Sequence, residues 1–207
     1  IWKKLSLPLM LLAFVLVAML FLPQLSYSWG GARRWLDLGF FSFQPSEFLK
    51  LAFVIYLASW LDARREEVRS VSYGMIPFAV MLAIVGMFLA MQPDIGTLGV
   101  VAVTSGIMYF LGGGRVSQMA TLSFFGLALL YLLIQGATYR LSRITVFLNP
   151  GTDPQGIGYQ ITQSFIAIGS GGLLGRGFGK SLQKYNYLPE PMGDSIFAIH
   201  AEEMGFL

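Results

Sequence analysis

Long apolar runs separated by short polar breaks set the pattern of this chain. The first run, LSLPLMLLAFVLVAMLFLPQL, covers residues 5–25, and others follow at 46–61, 74–92, 95–111 and 116–135. Each lies near the roughly 17–25 residues that carry an α-helix across a bilayer. A further helix is expected to begin at 194 and to be cut at 207, giving a last partial span over 194–207. No barrel-like alternation of apolar and polar positions occurs, and open sheet edges cannot face lipid. The pattern therefore predicts an all-α fold, a polytopic transmembrane helical bundle forming one membrane domain over 1–207. Residues 136–193 interrupt it. They are too polar to span and too long for a passive connector, so they are expected to form a large extracytoplasmic loop with short re-entrant or interfacial helices, the functional cap of the bundle.

Composition supports the membrane reading: 55% of residues are hydrophobic, 12% are charged and the mean hydropathy is +0.64. Soluble domains carry about 25% charged residues. The absence of cysteine removes disulfides, thiolate metal sites and cysteine nucleophiles together. A net charge of +3 suits anionic membrane lipids as partners and is too small to imply nucleic acid. Lys3 and Lys4 before the first run would suit a signal peptide, but the run is long and no A-x-A-like cleavage site follows, so a span is expected. The chain opens on Ile1 rather than Met and stops at Leu207 inside an apolar helix, so it reads as a piece of a longer protein.

Charge in the short loops sets the orientation. Lys3, Lys4, Arg64, Arg65, Arg69 and Arg115 fall on one side, and the opposite short loops hold only Arg33 and Arg34. The positive-inside rule then places the first group in the cytoplasm and the segment 136–193 outside, in a multi-pass protein of the cell membrane.

The first outer loop, WGGARRWLDLGFFSFQPSEFLKLAF, brings tryptophans and arginines to interface depth before Pro45 opens a helix. Glu47 and Lys50 stand three apart in its first turn. They form either a local ion pair or a substrate contact in which Lys50, with Arg34 nearby, attracts a phosphate-bearing headgroup. In QPD, Pro93 breaks the chain and Asp94 can cap the following helix.

Farther on, Tyr139, Arg140 and Arg143 precede ITVFLNP, and Asn149-Pro150-Gly151 with Asp153-Pro154 supply two turn signals. YQITQSFIAIG reads as a short apolar helix interrupted by Gln160, Gln163 and Ser164. The stretch GSGGLLGRGFGKS falls short of a nucleotide-binding phosphate loop, because the required first glycine is replaced by Leu174 and no strand precedes it. Its turn could still aim backbone N–H groups at an anion, with Arg176, Lys180 and Lys184 around it, so a lipid diphosphate is a candidate guest; a loop resting its cations on lipid headgroups is the alternative. Then YNYLPEPMGDSIFAIHAEE delivers Asp194 to the start of a helix. An N-cap is one reading of Asp194 and a reactive carboxylate the other. Glu202 lies eight residues on, about 12 Å along a helix axis, so the two cannot be a glycosidase carboxylate pair. Glu202 and Glu203 are expected to hold helices or cations, and His200 lacks the second histidine of a zinc motif.

GARRWLDLGFFSFQPSEFLK, QPDIGTLGVV and the run from RITVFLNP to HAEEMGF together resemble the SEDS family, the FtsW, RodA and SpoVE proteins of bacterial cell-wall synthesis. The Y-R-x-x-R opening and QKYNYLPEP look more like FtsW and SpoVE than RodA, although PMGD departs from the commoner HTD. Set against the family's usual ten helices, the chain looks like the third to seventh and the start of the eighth. The resemblance implies a peptidoglycan glycosyltransferase that polymerises lipid II into glycan strands during cell division or cell-shape maintenance. It implies that Asp194, in P-E-x-x-x-D-x-I-F-A, is the residue essential for polymerisation, acting as general base. Arg34, Glu47, Lys50, Arg140, Arg143, Arg176, Lys180 and Glu202 would then bind substrate, and a divalent cation, Mg2+ or Mn2+, could share the diphosphate charge. Implied partners are undecaprenyl-diphosphate-linked glycan, a class B penicillin-binding protein and other divisome or elongasome proteins. A lipid II flippase or a noncatalytic scaffold stays open; a carrier would place its site nearer the midplane, whereas the charges here gather at the outer rim.

Overall fold

The computed structural model describes all residues except 23–25, 30–31, 38, 40–41, 137, 150, 152, 154–155, 157, 186, 190 and 207, and gives the backbone alone for 26–29, 32–33, 138–140 and 143. The chain divides into two compact units, Ile1–Gly126 and Leu127–Leu207.

The first unit contains α1 (Trp2–Met19), strands β1 (Ser26–Trp29), β2 (Ala32–Asp37) and β3 (Ser42–Phe43), then α2 (Pro45–Ala63), α3 (Ile76–Met91), α4 (Ile95–Leu111) and the beginning of α5 (Val116–Gln135). A π-helical turn, Val71–Met75, leads into α3. Its core is aliphatic and aromatic: Met10, Ala13 and Val17 of α1 join Leu49, Phe53 and Leu57 of α2 and Phe78, Val85, Leu89, Val101 and Tyr109 of α3 and α4. The outward positions are also apolar, as at Leu12, Val80, Val103 and Phe124. Lipid tails solvate such a surface, whereas water would not.

Among the described residues, Trp2–Met19, Val71–Met91 and Val116–Gln135 are long and apolar enough to cross a membrane, and Ile95–Leu111 is a shorter apolar helix. The expected span 46–61 is present as α2, but this helix carries Glu47, Lys50 and Asp62, which lower its apolar character. The expected span 5–25 ends earlier, with Leu20 capping α1.

The mostly helical bundle agrees with the all-α expectation, and a small three-stranded sheet is added to it. β1 pairs antiparallel with β2, with Trp29 opposite Ala32 and Ser26 opposite Leu36, and β2 pairs antiparallel with β3, with Leu36 opposite Phe43. The sequence signal is the dipeptide Gly30-Gly31, a composition that favours tight turns between strands. At bilayer depth an isolated sheet is excluded by its open edges; in an interfacial loop it is not.

Local chemistry sets the helix starts and the turns. Pro45 occupies the first position of α2, where its missing N–H costs nothing. Asp94 caps α4 as expected, its Oδ1 accepting from the Thr97 N–H at 3.3 Å. At the opposite end of α4, the Tyr109 hydroxyl donates to the Val68 carbonyl at 2.8 Å, and the Gln118 amide donates to the Arg69 carbonyl at 3.1 Å. A Cβ at Gly74 would lie 2.2 Å from that Val68 oxygen, so the turn requires glycine.

In the second unit, α6 (Thr138–Leu148), α7 (Tyr159–Gly171) and α8 (Ile196–Met204) are joined by long turns. Among the described residues, the segment 136–193 thus holds the short helices α6 and α7. The sequence reading anticipated α7; α6 was not foreseen, because its arginines and Thr138 masked a short amphipathic helix within a polar stretch.

Candidate active site

The second unit is built where α7 and α8 approach closely. A Cβ on Gly171 would stand 2.1 Å from the Ala201 carbonyl oxygen, so any side chain there forces the helices apart. Ala167 and Ala198 are buried in the seam with Leu188, flanked by Ile168 and Ile199. Gly172 ends α7 at φ +56°, and Gly175 continues the turn at φ +72°, in the left-handed region that favours glycine. The loop then lies on the last turn of α8. The N–H groups of Arg176 and Gly177 donate to the Glu202 and Glu203 carbonyls at 3.0 and 2.9 Å, and the Phe206 N–H donates to the Gly172 carbonyl at 3.0 Å. Carbonyls that a helix end leaves unpaired are in this way satisfied by the glycine-rich loop.

The same loop wraps the two adjacent carboxylates. Glu202 is fully buried, yet its Oε2 accepts from the Ser181 hydroxyl at 2.6 Å and the Gln183 N–H at 3.3 Å. Its Oε1 accepts from the Leu182 N–H at 3.1 Å, with the Arg176 guanidinium 3.7 Å away. Glu203 accepts from the Gly179 N–H at 2.9 Å, the Ser181 N–H at 3.3 Å and the Lys184 ammonium at 2.8 Å. The hydrogen bond to Glu203 raises the Lys184 pKa above its ordinary value. Backbone N–H groups that could have cradled a lipid diphosphate are thus directed at carboxylates of the chain itself. Glu202 and Glu203 hold structure together, one of the roles expected for them, and the Glu202 carboxylate is enclosed rather than presented to a substrate.

Asp194 lies in the turn that precedes α8 and is exposed. The helix begins at Ile196 with Ser195 in the cap position, so Asp194 is not the cap residue. Ser195 is buried; its hydroxyl donates to the Pro189 carbonyl at 3.3 Å and accepts from the Gln160 amide at 3.2 Å. Among the described residues the Asp194 carboxylate has no hydrogen-bond or ion-pair partner, and neither does the ammonium of the exposed Lys180 in the loop. Gln160 appeared in the sequence as a polar interruption of an apolar helix. Ser181 and Ser195 carried no such mark, because isolated serines are common in loops and caps.

The remaining candidates fall on other elements. Lys50 and Glu47 form an ion pair at 2.7 Å, with side chains 30% and 56% exposed, which is the local-pair alternative. Arg34 donates to the carbonyls of Gln92 and Pro93, tying β2 to the α3–α4 turn, and Ser46 donates to the Asp94 carboxylate at 3.4 Å. Arg140 and Arg143 fall on α6, but their side chains lie outside the described residues, as do Pro150 and Pro154 of the expected turns. Among the described residues no three His, Asp or Glu side chains converge as a metal-ligand set. His200 is exposed on α8.

Comparison with known proteins joins these features to a family. Residues 1–207 match the cell cycle protein family of FtsW, RodA and SpoVE. The chain is 41% identical to the stage V sporulation protein E of Bacillus subtilis over 206 residues, all of this chain and 56% of that protein. It is 42% identical to the probable peptidoglycan glycosyltransferase FtsW of Aliivibrio salmonicida, again over 100% of this chain and 51% of that one. The chain therefore spans about half the length of the curated relatives it matches. Among solved structures, a chain from a study of how a peptidoglycan synthase complex coordinates polymerization and crosslinking superposes with a TM-score of 0.73 and 25% identity, covering 99% of this chain and 56% of that one. The rod shape determining protein RodA of Thermus thermophilus gives a TM-score of 0.51 at 31% identity over 62% of this chain and 41% of its own. With a bundle of apolar helices and a family match along its full length, this is a membrane protein with several spans, and it belongs to the FtsW, RodA and SpoVE family.

Proposed function

We propose that this chain is the catalytic portion of a peptidoglycan glycosyltransferase that polymerises lipid II at the outer face of the bacterial cytoplasmic membrane. The observation that carries the proposal is Asp194: an exposed carboxylate with no partner among the described residues, on a turn whose base is fixed by Ser195, Pro189 and Gln160. A helix cap would be engaged with backbone N–H groups, as Asp94 is. An unengaged carboxylate is free to take a proton.

In the reaction, Asp194 accepts the proton of the acceptor sugar's 4-hydroxyl as that oxygen attacks the anomeric carbon of the growing glycan. The bond from the anomeric carbon to the diphosphate oxygen breaks, and the electron pair leaves with the lipid diphosphate. Attack opposite the leaving group with one carboxylate as base gives inversion. Charge building on the diphosphate requires cations, and Lys180 is the loop cation whose side chain has no carboxylate partner among the described residues. Arg140 and Arg143, on α6 of the same unit, are the further cations available to it.

The relatives named FtsW and SpoVE support placing the activity in division or sporulation, and the relative seen in a peptidoglycan synthase complex supports a transpeptidase of the penicillin-binding class as partner. The test is polymerisation of lipid II by the full-length protein. Asp194→Ala is expected to lower the rate by about 100-fold or more, in the range of lost general-base catalysis; polymerisation at the wild-type rate would refute the assignment.

A further inference from the structure

We infer that Glu202 and Glu203 are positioning residues for the reaction: as a latch, they hold the glycine-rich loop against α8 and so fix the path of the chain that presents Asp194. The inference rests on Asp194 being the reacting carboxylate.

The latch is dense. Four backbone N–H groups within five residues, those of Gly179, Ser181, Leu182 and Gln183, point at the two carboxylates, with the Ser181 hydroxyl and the Lys184 ammonium added to them. A buried carboxylate is tolerated only when its oxygens are satisfied in this manner, and buried N–H groups such as that of Ser181 only when they meet acceptors. Each therefore requires the other. Lys184 closes the loop on itself as well, donating to the Gly179 carbonyl at 2.7 Å.

From the latch the restraint passes along the chain. The Leu188 N–H donates to the Gln183 carbonyl at 3.0 Å, and the Leu188 side chain is buried against Ala167 and Ala198. One residue later the Pro189 carbonyl receives the Ser195 hydroxyl, which Gln160 of α7 also holds. Asp194 is the exposed residue next to that last tether. Between Gly179 and Ser195 the chain is thus anchored at the acidic pair, at the α7–α8 seam and at the foot of α8.

The helices do not need the latch in order to pack, because the α7–α8 seam is made by Gly171, Ala167 and Ala198. Loosening the latch should therefore free the loop without separating the helices. A reacting group displaced by about 1 Å can lose on the order of 100-fold in rate. The expected signature is a fall in kcat with KM held.

The experiment uses the full-length protein, measuring lipid II polymerisation and amide hydrogen exchange over 179–184 on the same samples. Glu203→Ala should speed exchange across this segment while leaving α7 protected, and should lower kcat by ~10–100-fold with KM within about 2-fold of wild type. Ser181→Ala, a milder change that keeps the loop backbone, should give the same pattern at ~3–10-fold. Glu203→Gln retains an acceptor oxygen and should recover part of the loss. Unchanged exchange and kcat in both alanine variants would overturn the inference, as would a rise in KM with kcat held, which would make the pair a binding element. Asp194→Ala is run alongside and should abolish polymerisation with wild-type exchange over 179–184. A retained rate in that variant would instead remove the reading of Asp194 and the positioning role with it, while the exchange data would still report separately whether the latch exists.

Discussion

Within residues 1–126, charged side chains form exposed pairs or meet carbonyls, as Glu47 does with Lys50, Arg64 with Glu67, Lys3 with Asp62 and Arg34 with the α3–α4 turn. Within residues 127–207, two carboxylates are drawn out of solvent and wrapped by backbone N–H groups, while a third, Asp194, is left without a partner among the described residues. The same residue types therefore do different work. Exposed pairs such as Glu47–Lys50 contribute little to stability and let charge sit at the membrane boundary. The buried pair specifies a loop conformation, because its partners have no other way to be satisfied. A charged residue near a membrane is thus a weak guide to function until its partners are known.

That contrast can be broken at several points. The largest effect is expected from Gly171→Val. Its side chain would collide with the Ala201 carbonyl and should cost more than about 4 kcal/mol, read as loss of folded full-length protein in thermal unfolding. Lys180→Ala removes the loop cation that has no carboxylate partner among the described residues. It should lower polymerisation by ~10-fold, as loss of one charge-assisted contact to the diphosphate would; steady-state kinetics with lipid II checks this. In the first unit, Tyr109→Phe deletes the hydroxyl that donates to the Val68 carbonyl and should cost about 1 kcal/mol without changing the reaction. Glu47→Gln should be the mildest, ~0.2–1 kcal/mol in unfolding free energy, because its pair is largely solvent-screened. A large loss of activity in Glu47→Gln would reverse the contrast and return that pair to the substrate.

Much of this was legible in the sequence, and for definite reasons. The apolar runs over 74–92, 95–111 and 116–135 became helices with nearly those bounds, since spanning length and hydropathy leave few alternatives. YQITQSFIAIG became α7, and Asp94 became a cap, each from local chemistry alone. The sheet at Ser26–Phe43 was hidden because its strands are short and its hairpin signal, Gly30-Gly31, sits in a segment that reads as interfacial loop. The fate of the glycine-rich stretch was half legible. Its N–H groups do converge on anions, but nothing in GSGGLLGRGFGKS indicates that the anions are Glu202 and Glu203, more than 20 residues away. Which cation has a carboxylate partner among the described residues depends on that long-range pairing, so Lys180 is not separable from Arg176 and Lys184 by sequence.

The central claim is that Asp194 takes the proton in glycan polymerisation. Its most direct test is single-turnover polymerisation of lipid II by the full-length Asp194→Asn protein, with lipid II binding measured on the same preparation. The substitution preserves size and polarity and removes the basic oxygen. The account predicts binding near the wild-type level with the polymerisation rate lowered by about 100-fold or more. Polymerisation at the wild-type rate, with binding intact, would contradict it.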